Sequence, residues 1–122
     1  MLASVVIPTF NRLDQLQAVI AAVRRQVLPP DIDLEVVVVD DGSSDGTTEW
    51  LESQIEYSGF RALHQSNSGP ARARNRGVEA ASGDLIIFLG DDTVPQPGWL
   101  TAHLEEHRLF ANPGPLAVLG YT

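Results

Sequence analysis

Apolar residues in this chain form short unbroken runs, separated by stretches in which they recur every three or four positions. Ser4 to Ile7 predicts a first buried strand, and Leu34 to Val39 predicts a second strand covered on both faces. Between them Leu13, Leu16, Ile20, Val23 and Val27 follow 3-4-3-4 spacing. That spacing predicts a helix from about Arg12 to about Gln26, capped by Asn11 and ended by Pro29-Pro30. Asp41 to Gly46 reads as a turn, and Thr47 to Ile55 as a second helix with Trp50 and Leu51 on its packing side. Phe60 to Leu63 predicts a weak third strand. Pro70 suits the first turn of a third helix running to about Ala81, which Gly83 stops. Asp84 to Leu89 is the fourth strand. Pro97 opens a fourth helix through about Phe110, with Trp99, Leu100 and Leu104 facing the core, and Leu116 to Leu119 reads as a fifth strand.

Strands that alternate with helices imply an α/β fold, here a three-layer α/β/α sandwich around a mostly parallel sheet. At 122 residues the chain reads as one domain, 1–122, with no internal repeat. In such sheets ligands bind outside the carboxyl ends of the strands, near a topological switch point.

Composition narrows the chemistry. A net charge of −8 argues against nucleic acid as a partner, because neutralising phosphates needs a basic face. No apolar run approaches the roughly 20 residues of a membrane span. Met1-Leu2-Ala3 lacks the basic region of a signal peptide, so the expected location is the cytoplasm. Without cysteine there is no disulfide framework and no thiolate chemistry. All eight basic residues are arginine, and Arg72, Arg74 and Arg76 form their one cluster.

The predicted strand ends carry the candidate chemistry. The first ends in Pro8-Thr9-Phe10-Asn11, the second in Asp40-Asp41-Gly42-Ser43, and the fourth in Gly90-Asp91-Asp92. In a parallel sheet these share one edge, so four carboxylates are expected to converge there, with Asp45 nearby. Two carboxylates about 4 Å apart repel by roughly 4 kcal/mol at an effective dielectric of 20, which solvent, a shared proton or a cation must offset. Converging carboxylates suit a hard cation such as Mg²⁺ or Mn²⁺, completed by water and phosphate oxygens. Backbone N–H groups near Gly69 and the guanidinium of Arg72 or Arg74 can hold phosphates. Together they read as a metal-assisted nucleotide-diphosphate site.

Other phosphate-binding classes fit less well. No G-x-G-x-x-G follows the first strand, and no G-x-x-x-x-G-K-[ST] occurs anywhere. A phospho-aspartate mechanism with Asp40 or Asp41 as nucleophile is weakened by the absence of the lysine that such sites use to hold phosphoryl oxygens.

The segments "SVVIPTFNR", "VVVVDDGSSDGT", "NSGPARARNRG" and "GDLIIFLGDDTVP" resemble, in order and spacing, the N-terminal half of family 2 glycosyltransferases of the GT-A fold. The resemblance covers about residues 3 to 100. It implies transfer of a sugar, usually with inversion, from a nucleotide-diphosphate donor; the choice among uracil, guanine and thymine as its base is left open. Carried onto these positions, it implies that Pro8 and Thr9 line the base and ribose pocket. Asp41 then accepts a hydrogen bond from the base with Asp40 beside it, and Arg74 approaches the diphosphate. Asp91 lies near the ribose, and Asp92 binds the metal, Mg²⁺ or Mn²⁺.

Two features depart from the family pattern. Gly90 stands where the family often has a first acid, and no residue maps onto the general base of the family's second half. The chain is therefore expected to be a donor-binding half, truncated at its C-terminus. The alternative is a non-catalytic nucleotide-sugar-binding module. An unfinished sheet edge favours self-association, and peripheral membrane association belongs to the expectations for a full-length enzyme. The acceptor is not indicated.

His103-Leu104-Glu105-Glu106-His107 matches a zinc-peptidase pattern, H-x-x-E-H, but reads better as part of an amphipathic helix. His64 is expected to be a surface or loop residue.

Overall fold

The computed structural model describes residues 1–110 and 117–121, with side chains described through Glu105. Five strands alternate with four helices among these residues: β1 Leu2–Thr9, α1 Leu13–Arg24, β2 Asp33–Asp40, α2 Thr47–Gln54, β3 Phe60–His64, α3 Pro70–Ala80, β4 Leu85–Leu89, α4 Trp99–Phe110 and β5 Ala117–Tyr121. They follow the predicted order. The expected start of β5 at Leu116 lies outside the described residues.

The sheet order is β3-β2-β1-β4-β5, and every pairing is parallel. The chain steps outward from β1 through β2 to β3. It then returns through α3 to β4, on the other side of β1. The direction of winding thus reverses between β1 and β4, and their carboxyl ends open a crevice.

Strand alternation decides which helix each face meets. Val5, Ile7, Val36, Val38, Leu85 and Ile87 pack in one cluster with Leu16, Ile20 and Val23 of α1, Leu51 of α2, and Trp99, Leu100 and Leu104 of α4. Val6, Val37 and Ile86 point the other way, toward Val78 and Ala80 of α3. The result is the expected three layers, with α3 the one helix on its face among the described residues. Gly77 lets α3 come close: a Cβ there would lie 2.3 Å from Val6 Cγ1 and 3.3 Å from Val39 Cγ2.

The amino-terminal edge of the sheet is tied by a buried carboxylate. Glu35 accepts from Ser4 Oγ at 2.6 Å and from the Ser82 N–H at 2.9 Å, and the Gly83 N–H donates to Ser4 Oγ at 2.9 Å. Arg61 lies 3.6 Å from Glu35 and also donates to the Ala80 carbonyl.

Two capping expectations are corrected. Asn11 does not cap α1, because it adopts φ +52° and its side chain accepts from the Ser44 N–H at 2.7 Å. The helix start is served from another loop, where Asp45 accepts from the Leu13 N–H at 3.0 Å. The same carboxylate accepts from the Thr47 N–H and hydroxyl at 3.1 and 2.5 Å, so Asp45 joins the starts of α1 and α2.

Candidate functional site

A cleft of about 430 Å³ lies at the carboxyl ends of β1, β2 and β4, within the usual size range of small-molecule sites. Pro8, Thr9, Asp41, Arg74, Asp91 and Asp92, all expected from the sequence, lie on its wall.

Asp41 stands just beyond β2 and is buried. Its Oδ1 accepts from Gln65 Nε2 and the Ser68 N–H, both at 2.8 Å, and its Oδ2 accepts from the Gly69 N–H at 3.0 Å. Burial alone would raise its pKa, but these three donors outweigh burial and the neighbouring Asp40 charge and hold it below 3.8. The carboxylate is therefore an acceptor that also fixes the loop leading into α3. Gly42, at φ +83°, permits this closeness, since a Cβ there would stand 2.9 Å from the Asn67 backbone nitrogen.

Asp40 departs from expectation. It is not on the cleft wall, so three carboxylates converge there and not four. Successive side chains leave a strand on opposite sides, and the Asp40 carboxylate turns toward α2. It accepts from the Thr48 hydroxyl at 2.5 Å and from the Ser43 N–H at 2.9 Å, with His64 Nδ1 at 3.2 Å. Burial pushes its pKa up, yet the bonds from Thr48, Ser43 and His64 bring it below 3.8. His64 is likewise no loop residue. It ends β3 and bridges Asp40 to Glu52, whose Oε1 is 2.5 Å from Nε2.

The acids after β4 meet Thr9, a site residue expected from the sequence, and Arg12, which the sequence did not single out. Thr9 Oγ1 donates to Asp91 Oδ2 at 3.0 Å. Arg12 Nη1 donates to Asp92 Oδ2 at 2.8 Å, with Nε 3.9 Å from Asp91 Oδ1. Desolvation raises the Asp91 pKa and the Asp92 charge adds to this, while Thr9 and Arg12 pull against it. The repulsion of the doublet is thus offset by a guanidinium from the β1–α1 turn. A side-chain cation stands against both acids. Among the described residues no three His, Cys, Asp or Glu gather into a fuller ligand set. Two carboxylates completed by water and phosphate oxygens match the habits of Mg²⁺ and Mn²⁺.

Phe10 and Asn67, also unassigned from sequence, line the same cleft, with Phe10 44% exposed. Of the arginine cluster, Arg74 faces the cleft, Arg72 is exposed away from its wall, and Arg76 donates to the His64 carbonyl at 2.6 Å. His103 packs edge-on against Trp99, with ring centroids 5.2 Å apart. The side chains of Glu106 and His107 lie outside the described residues.

Residues 4–109 match the family model for glycosyl transferase family 2. The chain belongs to this family. Among curated relatives of this family 2 chain, it is 37% identical over 120 residues to validoxylamine A glucosyltransferase of Streptomyces hygroscopicus subsp. limoneus, covering 97% of this chain and 26% of that protein. It is 37% identical over 99 residues to glycosyltransferase AglE of Haloferax volcanii, covering 80% and 32%. Two solved structures share its GT-A fold. S. aureus TarS 1-349 in complex with UDP-GlcNAc gives a TM-score of 0.75 at 29% identity over 88% of this chain and 32% of that one. The mannosyltransferase PcManGT of Pyrobaculum calidifontis, in complex with GDP-Man and Mn²⁺, gives 0.79 at 26% identity over 91% and 32%. The chain spans about a quarter to a third of the length of these proteins.

Proposed function

We propose that this chain holds a nucleotide-diphosphate sugar for transfer of the sugar, with inversion, to an acceptor hydroxyl. One observation carries the reading: Asp41, Asp91 and Asp92 share a single cleft with Arg12 and Arg74, at the reversal point of the sheet. The complexes of TarS with UDP-GlcNAc and of PcManGT with GDP-Man and Mn²⁺ support it.

Asp41, ionised and able only to accept, favours a base edge that offers N–H groups, as uracil, thymine and guanine do. Pro8, Thr9 and Phe10 line the nucleoside end, Asp91 serves the ribose, and Arg74 approaches the diphosphate. Asp92 would hold Mg²⁺ or Mn²⁺, which acts as a Lewis acid on the leaving nucleotide diphosphate. Inversion also needs a base beside the acceptor hydroxyl, on the face opposite the leaving group. We place that base outside the cleft acids, whose oxygens are engaged by Gln65, Ser68, Gly69, Thr9 and Arg12.

Calorimetric titration of UDP, GDP and dTDP, with Mn²⁺ and with EDTA, tests the reading. Binding of one nucleotide that is measurable in EDTA, is strengthened by Mn²⁺ and loses that Mn²⁺ dependence in Asp92→Ala is the expected result. No binding of any of them to folded protein refutes it.

A further inference from the structure

Arg12 occupies the position where a cation would meet the acid pair. Its Nη1 lies 2.8 Å from Asp92 Oδ2 and its Nε 3.9 Å from Asp91 Oδ1. The backbone around it is clamped to the β2–α2 loop. The Asn11 N–H donates to Ser43 Oγ at 2.9 Å, Asn11 Oδ1 accepts from the Ser44 N–H at 2.7 Å, and the Leu13 N–H donates to Asp45 at 3.0 Å. Only the side chain, 48% exposed, has room to turn.

A guanidinium fixed to two carboxylates leaves one net negative charge at the pair, and a divalent cation arriving there meets a like charge within a few ångströms. A nucleotide diphosphate changes this balance. It supplies several negative oxygens in the geometry that a guanidinium fork grips best. Arg74 stands on the same cleft wall to share the load.

We propose that Arg12 makes divalent-metal binding conditional on the nucleotide diphosphate. Alone, the guanidinium suppresses metal uptake by the acids. With the diphosphate present it pairs with phosphate oxygens and releases Asp92 to the metal. This rests on the donor-site reading above.

The test measures Mn²⁺ binding by electron paramagnetic resonance, and UDP, GDP and dTDP binding by calorimetry in EDTA and in Mn²⁺. Wild type is compared with Arg12→Gln and Arg12→Lys. Arg12→Gln is expected to bind Mn²⁺ alone about tenfold more tightly than wild type, by removal of a like charge about 5 Å away. It is also expected to bind the nucleotide in EDTA about tenfold more weakly. Arg12→Lys, which keeps the charge, is expected to stay near wild type for Mn²⁺ alone. If wild type binds a nucleotide but Arg12→Gln binds Mn²⁺ alone no better, or worse, Arg12 merely orients Asp92 and the proposal is overturned. If wild type binds no nucleotide under any condition, the donor-site reading fails instead.

Discussion

Asp41 Oδ1 accepts the Ser68 backbone N–H at 2.8 Å, tying the end of β2 to the loop that opens α3. With Gly69 on the other oxygen and Gln65 on the same one, both sides of the carboxylate are engaged. An asparagine offers a single acceptor oxygen, so one backbone N–H would face an NH₂ group. Asp41→Asn is therefore expected to cost about 1–3 kcal/mol, the cost of leaving a buried donor unsatisfied. That corresponds to a melting midpoint lower by roughly 4 °C per kcal/mol, read by calorimetry. An unchanged midpoint would show that the loop does not depend on this charge.

The acids also set how the fold responds to pH. Asp40, Asp41 and Asp45 have folded pKa values below the ordinary 3.8, the last chiefly through the Thr47 hydroxyl. A depressed carboxylate contributes stability that is fully present above its unfolded pKa and is lost as pH falls through its folded value. Asp91 is raised, so its ionised form opposes folding and acid relieves it. Three depressed groups against one raised group predict a net fall in stability below about pH 4. Urea melts from pH 7 to pH 3 are expected to show this, with a shallower acid limb in Asp41→Asn. An equally steep limb in the variant would remove Asp41 from the account.

Close packing of α3 on β1 depends on Gly77, where a Cβ would reach to 2.3 Å from Val6 Cγ1. Gly77→Ala gains about 1 kcal/mol of helix propensity but overpacks a stiff, fully buried valine, at a cost of about 1–3 kcal/mol. The single variant is expected to be less stable than wild type. In a double-mutant cycle, adding Val6→Ala removes the offending methyl and is expected to recover part of the loss. Strict additivity would mean that the two sites do not collide.

Phe10 offers an exposed ring to the cleft, beside Pro8 and Thr9 where the nucleoside is proposed to sit. Base–aromatic stacking contributes about 1–3 kcal/mol per base. Phe10→Ala is expected to weaken nucleotide binding by roughly 5- to 150-fold while the melting midpoint stays put, as for other exposed positions. A lower midpoint with unaltered affinity would make Phe10 a packing residue.

The alternation of apolar runs with helical spacing made the element order legible, because burial on both faces leaves an uninterrupted apolar strand such as Val36 to Val39. Strand ends followed from that order, and Pro8, Thr9, Asp41 and Asp91, expected at or just beyond those ends, line one cleft. Asp40 shows the limit. Beside Asp41 in sequence, it faces the other way, and only the pleat of β2 separates a cleft acid from one committed to Thr48 and Ser43. Arg12 was hidden differently. Its carboxylate partner Asp92 is 80 residues away, a pairing that no local pattern encodes. Asn11 looked like a helix cap because the residue type suits one, but its left-handed backbone gives that work to Asp45.

The contact of Gly42 with Asn67 has a kinetic consequence. The loop from Gln65 to Gly69 is held in place by Asp41 and packed on Gly42 as part of the fold itself. Its ordering entropy, about 1–2 kcal/mol per residue, is lost during folding and not at the encounter with ligand. For the donor site proposed above, this loop is then expected to add no closing step of its own to nucleotide capture. In stopped flow this appears as a single phase whose rate rises linearly with nucleotide concentration, where a plateau would reveal a loop that still has to close.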